Sequence, residues 1–183
     1  MPKLYSNQTV IYADPPWKLH KSIRKSRPNQ TKELDYNTIE LGEIKQILKE
    51  NDGDILFMWT IDKYLFEAEQ MGKELGYNLH ARIIWDKGNG IAPAFTIRFT
   101  HEYLLFFFKT GKIREMDKNM RGKFTTVIRE KSTKHSKKPI KAYEMIEALY
   151  PNHNKIELFA RNRRDGWESK GNEITPQLTE EKG

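Results

Sequence analysis

The chain has 183 residues, a formal charge of +7 and no cysteine, with a pI near 9.4. That length suits one domain burying roughly 70% of its unfolded surface, and the missing thiols exclude disulfide staples and thiolate metal sites. The basic balance favours a polyanionic partner, nucleic acid first. The 5 histidines show neither H-x3-H nor H-E-x-x-H spacing, so no metal is expected. No stretch approaches about 18 apolar residues, and Met1-Pro2-Lys3-Leu4 starts no signal-like apolar run, so a soluble intracellular protein with no membrane partner is expected.

Val10-Ile11-Tyr12-Ala13 reads as a short strand, stopped abruptly by Asp14-Pro15-Pro16-Trp17. Proline fixes φ and lacks a donor, so two in a row neither extend a ladder nor continue into a helix. They hold the carbonyls of Asp14 and Pro15 in fixed directions, with no N–H between them to pair those carbonyls locally. Ligands of open α/β sheets bind at the C-terminal ends of strands. Carboxylate and carbonyl oxygens only accept hydrogen bonds, so together they can take both hydrogens of a planar NH2 group. Such an amine on a nucleobase is a poor nucleophile, and acceptors on its N–H bonds return electron density to nitrogen. Trp17 offers a face for base stacking, worth roughly 1–3 kcal/mol. The other reading of the motif is a strand-ending turn with a core tryptophan.

Lys18, Lys21, Arg24, Lys25 and Arg27 follow at once, in a stretch with little apolar periodicity. It reads as a mobile loop beside the site, which either contacts phosphates or is a solvated charged loop. Apolar positions 41, 44, 47 and 48 have helical spacing, with Asn37 or Thr38 placed to cap the helix. The continuous apolar run from Asp54 to Trp59 suits a buried parallel strand. Asp62 to Leu75 reads as a helix ended by Gly76, and Arg82-Ile83-Ile84-Trp85 as a third strand. Residues 92–102 form a second loop over the site, ahead of the most hydrophobic strand at 103–108. The lysine- and arginine-rich stretch 109–137 reads as surface loop with one short strand at 125–128. Pro139 sits at the first position of a helix, and Lys155 to Ala160 is the last core strand. Strands alternating with helices make the fold α/β, with a largely parallel sheet covered on both faces. No G-x-G-x-x-G occurs, which argues against a dinucleotide dehydrogenase.

Taken in order, these landmarks resemble the MT-A70 family of N6-adenine methyltransferases. They are Ala13-Asp14-Pro15-Pro16-Trp17, Tyr36-Asn37-Thr38, Arg98 with His101-Glu102, Lys138-Pro139, Glu157-Leu158-Phe159-Ala160-Arg161, Gly166-Trp167 and Gly171-Asn172-Glu173. The likeness runs from about residue 8 to 174. It implies a Rossmann-like class I methyltransferase fold in permuted order, with the catalytic half first and the S-adenosyl-L-methionine half last. Residues 1–174 would form that single domain and 175–183 a polar, disordered tail.

The resemblance implies that Asp14 and the Pro15 carbonyl polarise the amine, that Pro16 stiffens the turn, and that Trp17 and Tyr36 sandwich the base. Asp14, Lys138, Phe159, Arg161, Asn162, Arg163, Asn172 and Glu173 are the implied cofactor contacts. Lys138 opens a helix, where the dipole disfavours a cation. It is either a solvated lysine or the partner of an anion such as the cofactor carboxylate. Nucleic acid is assigned to Lys18, Lys21, Arg24, Lys25, Arg27, Tyr36, Arg98 and His101, with Lys131, Lys134 and Lys137 on the far flank. Larger relatives hold the cofactor adenine with an acidic segment well before D-P-P-W. Only thirteen residues precede Asp14 here, so that contact is expected to be absent or supplied elsewhere. The leading substrate is adenine in DNA, flipped out or single-stranded, in a bacterial or phage-infected cytoplasm. The same chemistry on RNA is the first alternative, and a catalytically silent nucleic-acid-binding subunit the second. A homo- or hetero-oligomer is left open.

Overall fold

The structure is a computed structural model and describes residues 8–18, 40–94, 96–111, 116–133 and 137–171. Its strands are Thr9–Ala13 (β1), Ile55–Thr60 (β2), Asn78–Asp86 (β3), His101–Phe108 (β4), Val127–Arg129 (β5), Asn154–Leu158 (β6) and Glu168–Lys170 (β7). The helices are Leu41–Glu50 (α1), Leu65–Glu74 (α2) and Ile140–Leu149 (α3). One sheet carries all these strands in the order β5-β3-β4-β2-β1-β6-β7.

The continuous apolar runs are explained by what covers them. Along β1, Val10 and Tyr12 face a core built with Ala142, Met145, Ile146 and Leu149 of α3. Ile11 and Ala13 face the opposite core, with Ile44 and Leu48 of α1 and Ala68 and Met71 of α2. A strand covered on both sides needs apolar residues at every position, not at alternate ones. β2 and β4 obey the same rule, and across them Phe57 stacks on Phe106 with ring centroids 4.4 Å apart.

β1 runs parallel to β2 and β6, β3 parallel to β5, and β6 parallel to β7. β4 departs from the expected parallel arrangement and is antiparallel to both β2 and β3. This reversal matters for the site. It brings the N-terminal end of β4, with His101 and Glu102, to the edge where the parallel strands have their C-terminal ends. His101 and Glu102 are thus strand residues, not the end of a loop.

Other boundaries also differ from the sequence reading. α1 begins at Leu41 with Glu40 at its N-cap and no side-chain cap; Asn37 and Thr38 lie outside the described residues. Asp62–Tyr64 forms a 3-10 turn before α2. Pro139 occupies the N-cap of α3 and not its first turn, with φ −64° and ψ 139°. The cap is supplied from elsewhere: the Glu130 carboxylate accepts from the N–H groups of Ile140 at 2.9 Å and Lys141 at 3.0 Å. β6 ends at Leu158, because Phe159 turns into the left-handed region at φ 61°. β7, which the sequence reading lacked, then pairs beside β6. Gly171 follows it, where a Cβ would stand 2.3 Å from the Ala160 carbonyl oxygen, so only glycine allows that approach.

Candidate active site

The chain leaves β1 at Asp14, whose N–H still reaches the Leu158 carbonyl of β6 at 3.4 Å. The prolines then force the turn, as the sequence demands. One detail is corrected: the Pro15 carbonyl is not left unpaired, since the Trp17 N–H donates to it at 2.9 Å across the intervening proline. A carbonyl has two lone pairs, so one acceptor direction remains. Trp17 is only 6% exposed. Its Nε1–H donates to the Trp59 carbonyl at 2.9 Å, and one face stacks on Tyr64 with centroids 5.3 Å apart. The indole is therefore mostly a core tryptophan, and only the surface left by these contacts lines the site.

Lys138 is not solvated. Its Nζ lies 3.1 Å from Asp14 and 2.7 Å from Glu102, and 5.2 Å from the Trp59 ring centroid. The anions that the helix start called for are the protein's own: Asp14 and Glu102 hold the lysine, and Glu130 holds the helix N-terminus. Glu102 is also paired with Lys87 at 2.5 Å. Burial pushes the Asp14 carboxyl above the ordinary aspartate range, with Lys138 drawing it part of the way back. Burial acts the same way on Glu102, but Lys138 and Lys87 together outweigh it and hold that carboxyl below its usual range. Burial would lower Lys138, yet its two carboxylates raise it, so it stays cationic at neutral pH.

Asp14 and Lys138 stand in a wall between two cavities. The first, about 330 Å³, is lined by Pro15, Pro16, Trp17, Ile61, Trp85, Lys87 and Glu102. Asn89, Ser132 and Lys137 complete its lining. The second, about 490 Å³, is lined by Tyr143, Glu157, Phe159, Arg161, Asn162, Arg163 and Arg164. Asp14, Lys137, Lys138 and Arg161 belong to both. In the second cavity the Tyr143 hydroxyl donates to Glu157 Oε1 at 2.8 Å. Burial raises the Glu157 carboxyl, and that hydrogen bond only partly offsets it. Arg164 and the Trp167 Nε1–H both bind the Glu147 carboxylate, which fixes Arg164 in the cavity lining.

This second donor set fits S-adenosylmethionine. Carboxylates at Asp14 and Glu157 suit its ammonium and sulfonium charges, while Arg161 and Arg163 suit its carboxylate. Phe159 and Tyr143 add apolar surface. The strained backbone at Phe159, costing roughly 1–3 kcal/mol, falls at this cavity, where such strain usually serves function.

Of the residues foreseen, Asp14, Pro15, Pro16, Trp17, Lys138, Phe159, Arg161, Asn162 and Arg163 do come together. Lys18 instead pairs with Glu40 at 2.5 Å. His101 bonds the Tyr103 hydroxyl at 3.0 Å, and exposed Arg98 lies on the 87–100 loop; neither lines the cavities. Lys21, Arg24, Lys25, Arg27, Tyr36, Lys134, Asn172 and Glu173 lie outside the described residues. Sequence reasoning missed Lys87, Glu102, Tyr143 and Glu157 as site residues. The available signal was charge at the edges of apolar strands: Asp86-Lys87 ends one, and Glu102 begins another.

Among the described residues no group of three or more His, Asp or Glu could hold a metal ion, and no helix is long and apolar enough to cross a membrane. Comparison with known proteins agrees with the geometry. The MT-A70 family model matches residues 8–173. The type II methyltransferase M.MunI of Mycoplasma is 32% identical over 185 residues, covering 90% of this chain and 77% of that protein. The N(6)-adenosine-methyltransferase catalytic subunit METTL3 of Homo sapiens is 31% identical, covering 90% of this chain but 28% of that protein. The N(6)-adenosine-methyltransferase MT-A70-like of Arabidopsis thaliana is 29% identical, over 90% and 23% of the two chains. MT-A70 methyltransferases use S-adenosylmethionine as methyl donor. With the match spanning nearly every described element, the chain belongs to the MT-A70 family.

Proposed function

We propose that the protein transfers a methyl group to N6 of adenine in DNA. The observation that carries this reading is the position of Asp14, shared by a cavity suited to a base and one suited to the methyl donor. S-adenosylmethionine supplies an electrophilic methyl group. The remaining work belongs to this chain. Asp14 and the free acceptor direction of the Pro15 carbonyl take the two amine hydrogens, which fixes the amine plane and enriches its nitrogen. The remaining surface of Trp17, with Ile61 and Trp85, gives the base an apolar slot. Lys138 holds Asp14 in place and favours its ionised form, while Glu102 fixes Lys138 from the other side. The methylated amine becomes acidic, so its proton leaves readily, to Asp14 or to water. Most of the rate enhancement is then alignment and fixed charge.

The Mycoplasma type II methyltransferase, most of whose length this chain spans, supports DNA. Adenosine in the names of the plant and animal relatives supports RNA, though the chain spans only about a quarter of those proteins. The test is transfer from tritiated cofactor to DNA and RNA oligonucleotides in parallel. Label in DNA above RNA is the expected result. Preference for RNA reverses the substrate. Label in neither, with cofactor still bound, leaves a silent nucleic-acid-binding subunit.

A further inference from the structure

Beyond Lys87 the connection from β3 to β4 has no part in the chemistry above, yet it joins the lining of the base cavity at Asn89. Its neck is closed by the Lys87 N–H, which donates to the Thr100 carbonyl at 3.0 Å. The Lys87 carbonyl in turn accepts from the Ser132 N–H at 3.0 Å, fixing the neck to the far wall. Lys87 and Asn89 line the cavity itself. Ile91 is two residues further, within about 7 Å of chain. Large apolar side chains crowd this loop and face solvent: Ile91 is 105% exposed, Ile97 75% and Phe99 59%. Between Lys87 and Thr100 there is no acid, and Arg98 is the only other charged residue.

Three large apolar side chains exposed along one short loop beside a cavity point to a partner that covers them. A protein partner would explain the apolar side chains but not their place beside the base cavity. A base pair interior explains both. An adenine inside a duplex cannot bring its amine to Asp14, which is sunk in the wall behind the cavity, without leaving the stack. The space it vacates is apolar and one base thick, and side chains such as Phe, Ile, Leu and Met fill such gaps. The lone charge is positive and sits between two of the apolar residues, as a phosphate beside the opened step requires.

We propose that Ile91, Ile97 and Phe99 form a wedge that enters duplex DNA where the target adenine is extruded, with Arg98 on the adjacent phosphate. This rests on the adenine methyltransferase reading of the site. A loop of this kind is dispensable when no duplex has to be opened, and that separates the wedge from the catalytic machinery.

The test is the full chain with Ile91→Ser, Ile97→Ser and Phe99→Ser combined, all three positions being exposed and the urea midpoint serving as a folding control. Target opening is read by 2-aminopurine fluorescence at the target position, without any methyl transfer. Transfer is read on a matched duplex, on the same duplex with an abasic site opposite the adenine, and on the single strand. Wild type should raise 2-aminopurine fluorescence in the duplex and the variant should not. The variant should lose roughly tenfold to a hundredfold on the matched duplex. It should stay within about twofold of wild type on the single strand and on the duplex with the abasic site. Equal loss on all three substrates, or none on any, overturns the wedge. Equal loss accompanied by dissociation of a wild-type dimer in sedimentation makes the patch an interface with a second copy. Wild-type transfer to single strands with no fluorescence change in duplex also sinks the wedge but keeps the adenine reading. A wild type that opens the duplex yet methylates nothing keeps the wedge and sinks the adenine methyltransferase reading.

Discussion

In the proposed reaction Asp14 works as a carboxylate, the stronger acceptor, and burial holds its carboxyl above the usual range. The rate constant kcat/KM should therefore climb with pH through that raised value. Lys138 is the main charge lowering it, so Lys138→Met should move this acid limb to higher pH. A limb that stays in place or moves down contradicts the coupling. Glu102 carries the opposite linkage. Its carboxyl is held below the usual 4.5, so its contribution to stability is complete above about pH 4.5 and is lost as pH falls through its folded value. For Asp14 the raised value means that ionisation costs stability at neutral pH, and protonation on acidification relieves it. Glu102→Gln should thus lose about 1–3 kcal/mol at pH 7 and less at an acid pH well below 4.5, by urea unfolding. Equal losses at both pH values would leave the Lys138–Glu102 pair without energetic weight. Trp17 belongs to packing more than its motif suggests. Trp17→Ala should cost about 3–5 kcal/mol. Trp17→Phe keeps the stack on Tyr64 and loses about 1 kcal/mol with the Trp59 hydrogen bond. A Trp17→Ala protein as stable as wild type would make the indole a base platform after all.

At the level of elements, α3 depends on a residue outside it. Glu130 follows β5 and closes the N-terminal N–H groups of α3, so it ties the short edge strand to the helix that presents Lys138. Glu130→Ala should destabilise by about 1–2 kcal/mol and lower transfer at saturating cofactor, because Lys138 would be less well placed. Unfolding at an unchanged urea midpoint would show the cap to be idle. β1, β2, β4 and α3 were legible because burial on both faces, or on one helical stripe, leaves a strong apolar pattern. The direction of β4 was not, since a strand apolar at every position carries no mark of parallel or antiparallel pairing. β7 was not legible either: Glu168-Ser169-Lys170 is polar and joins the sheet through its backbone, beside the close approach of Gly171 to Ala160. The same blindness hid Glu102. Its partner Lys138 lies 36 residues away, and only the reversed strand brings them together.

At the largest scale, the proposed function gives one edge of the sheet to a polyanion. Lys131 and Lys137 are exposed on the flank of the base cavity, and Lys137 lines both cavities. Replacing both with glutamine should weaken duplex binding similarly across sequences, because phosphate contacts carry no sequence information. The plot of log affinity against log salt should flatten by about 0.9 per lost contact, and an unchanged slope would remove both lysines from the interface. The proposed reaction turns on Asp14 serving an amine from one cavity and a methyl donor from the other. Mass spectrometry of nucleosides released from DNA tests this most directly, after treatment with wild type or Asp14→Asn at saturating S-adenosylmethionine. Wild type should yield N6-methyldeoxyadenosine, and a folded Asp14→Asn protein about 10²–10³-fold less. Methylation elsewhere on the nucleoside, or an Asp14→Asn yield equal to wild type, would contradict that reaction.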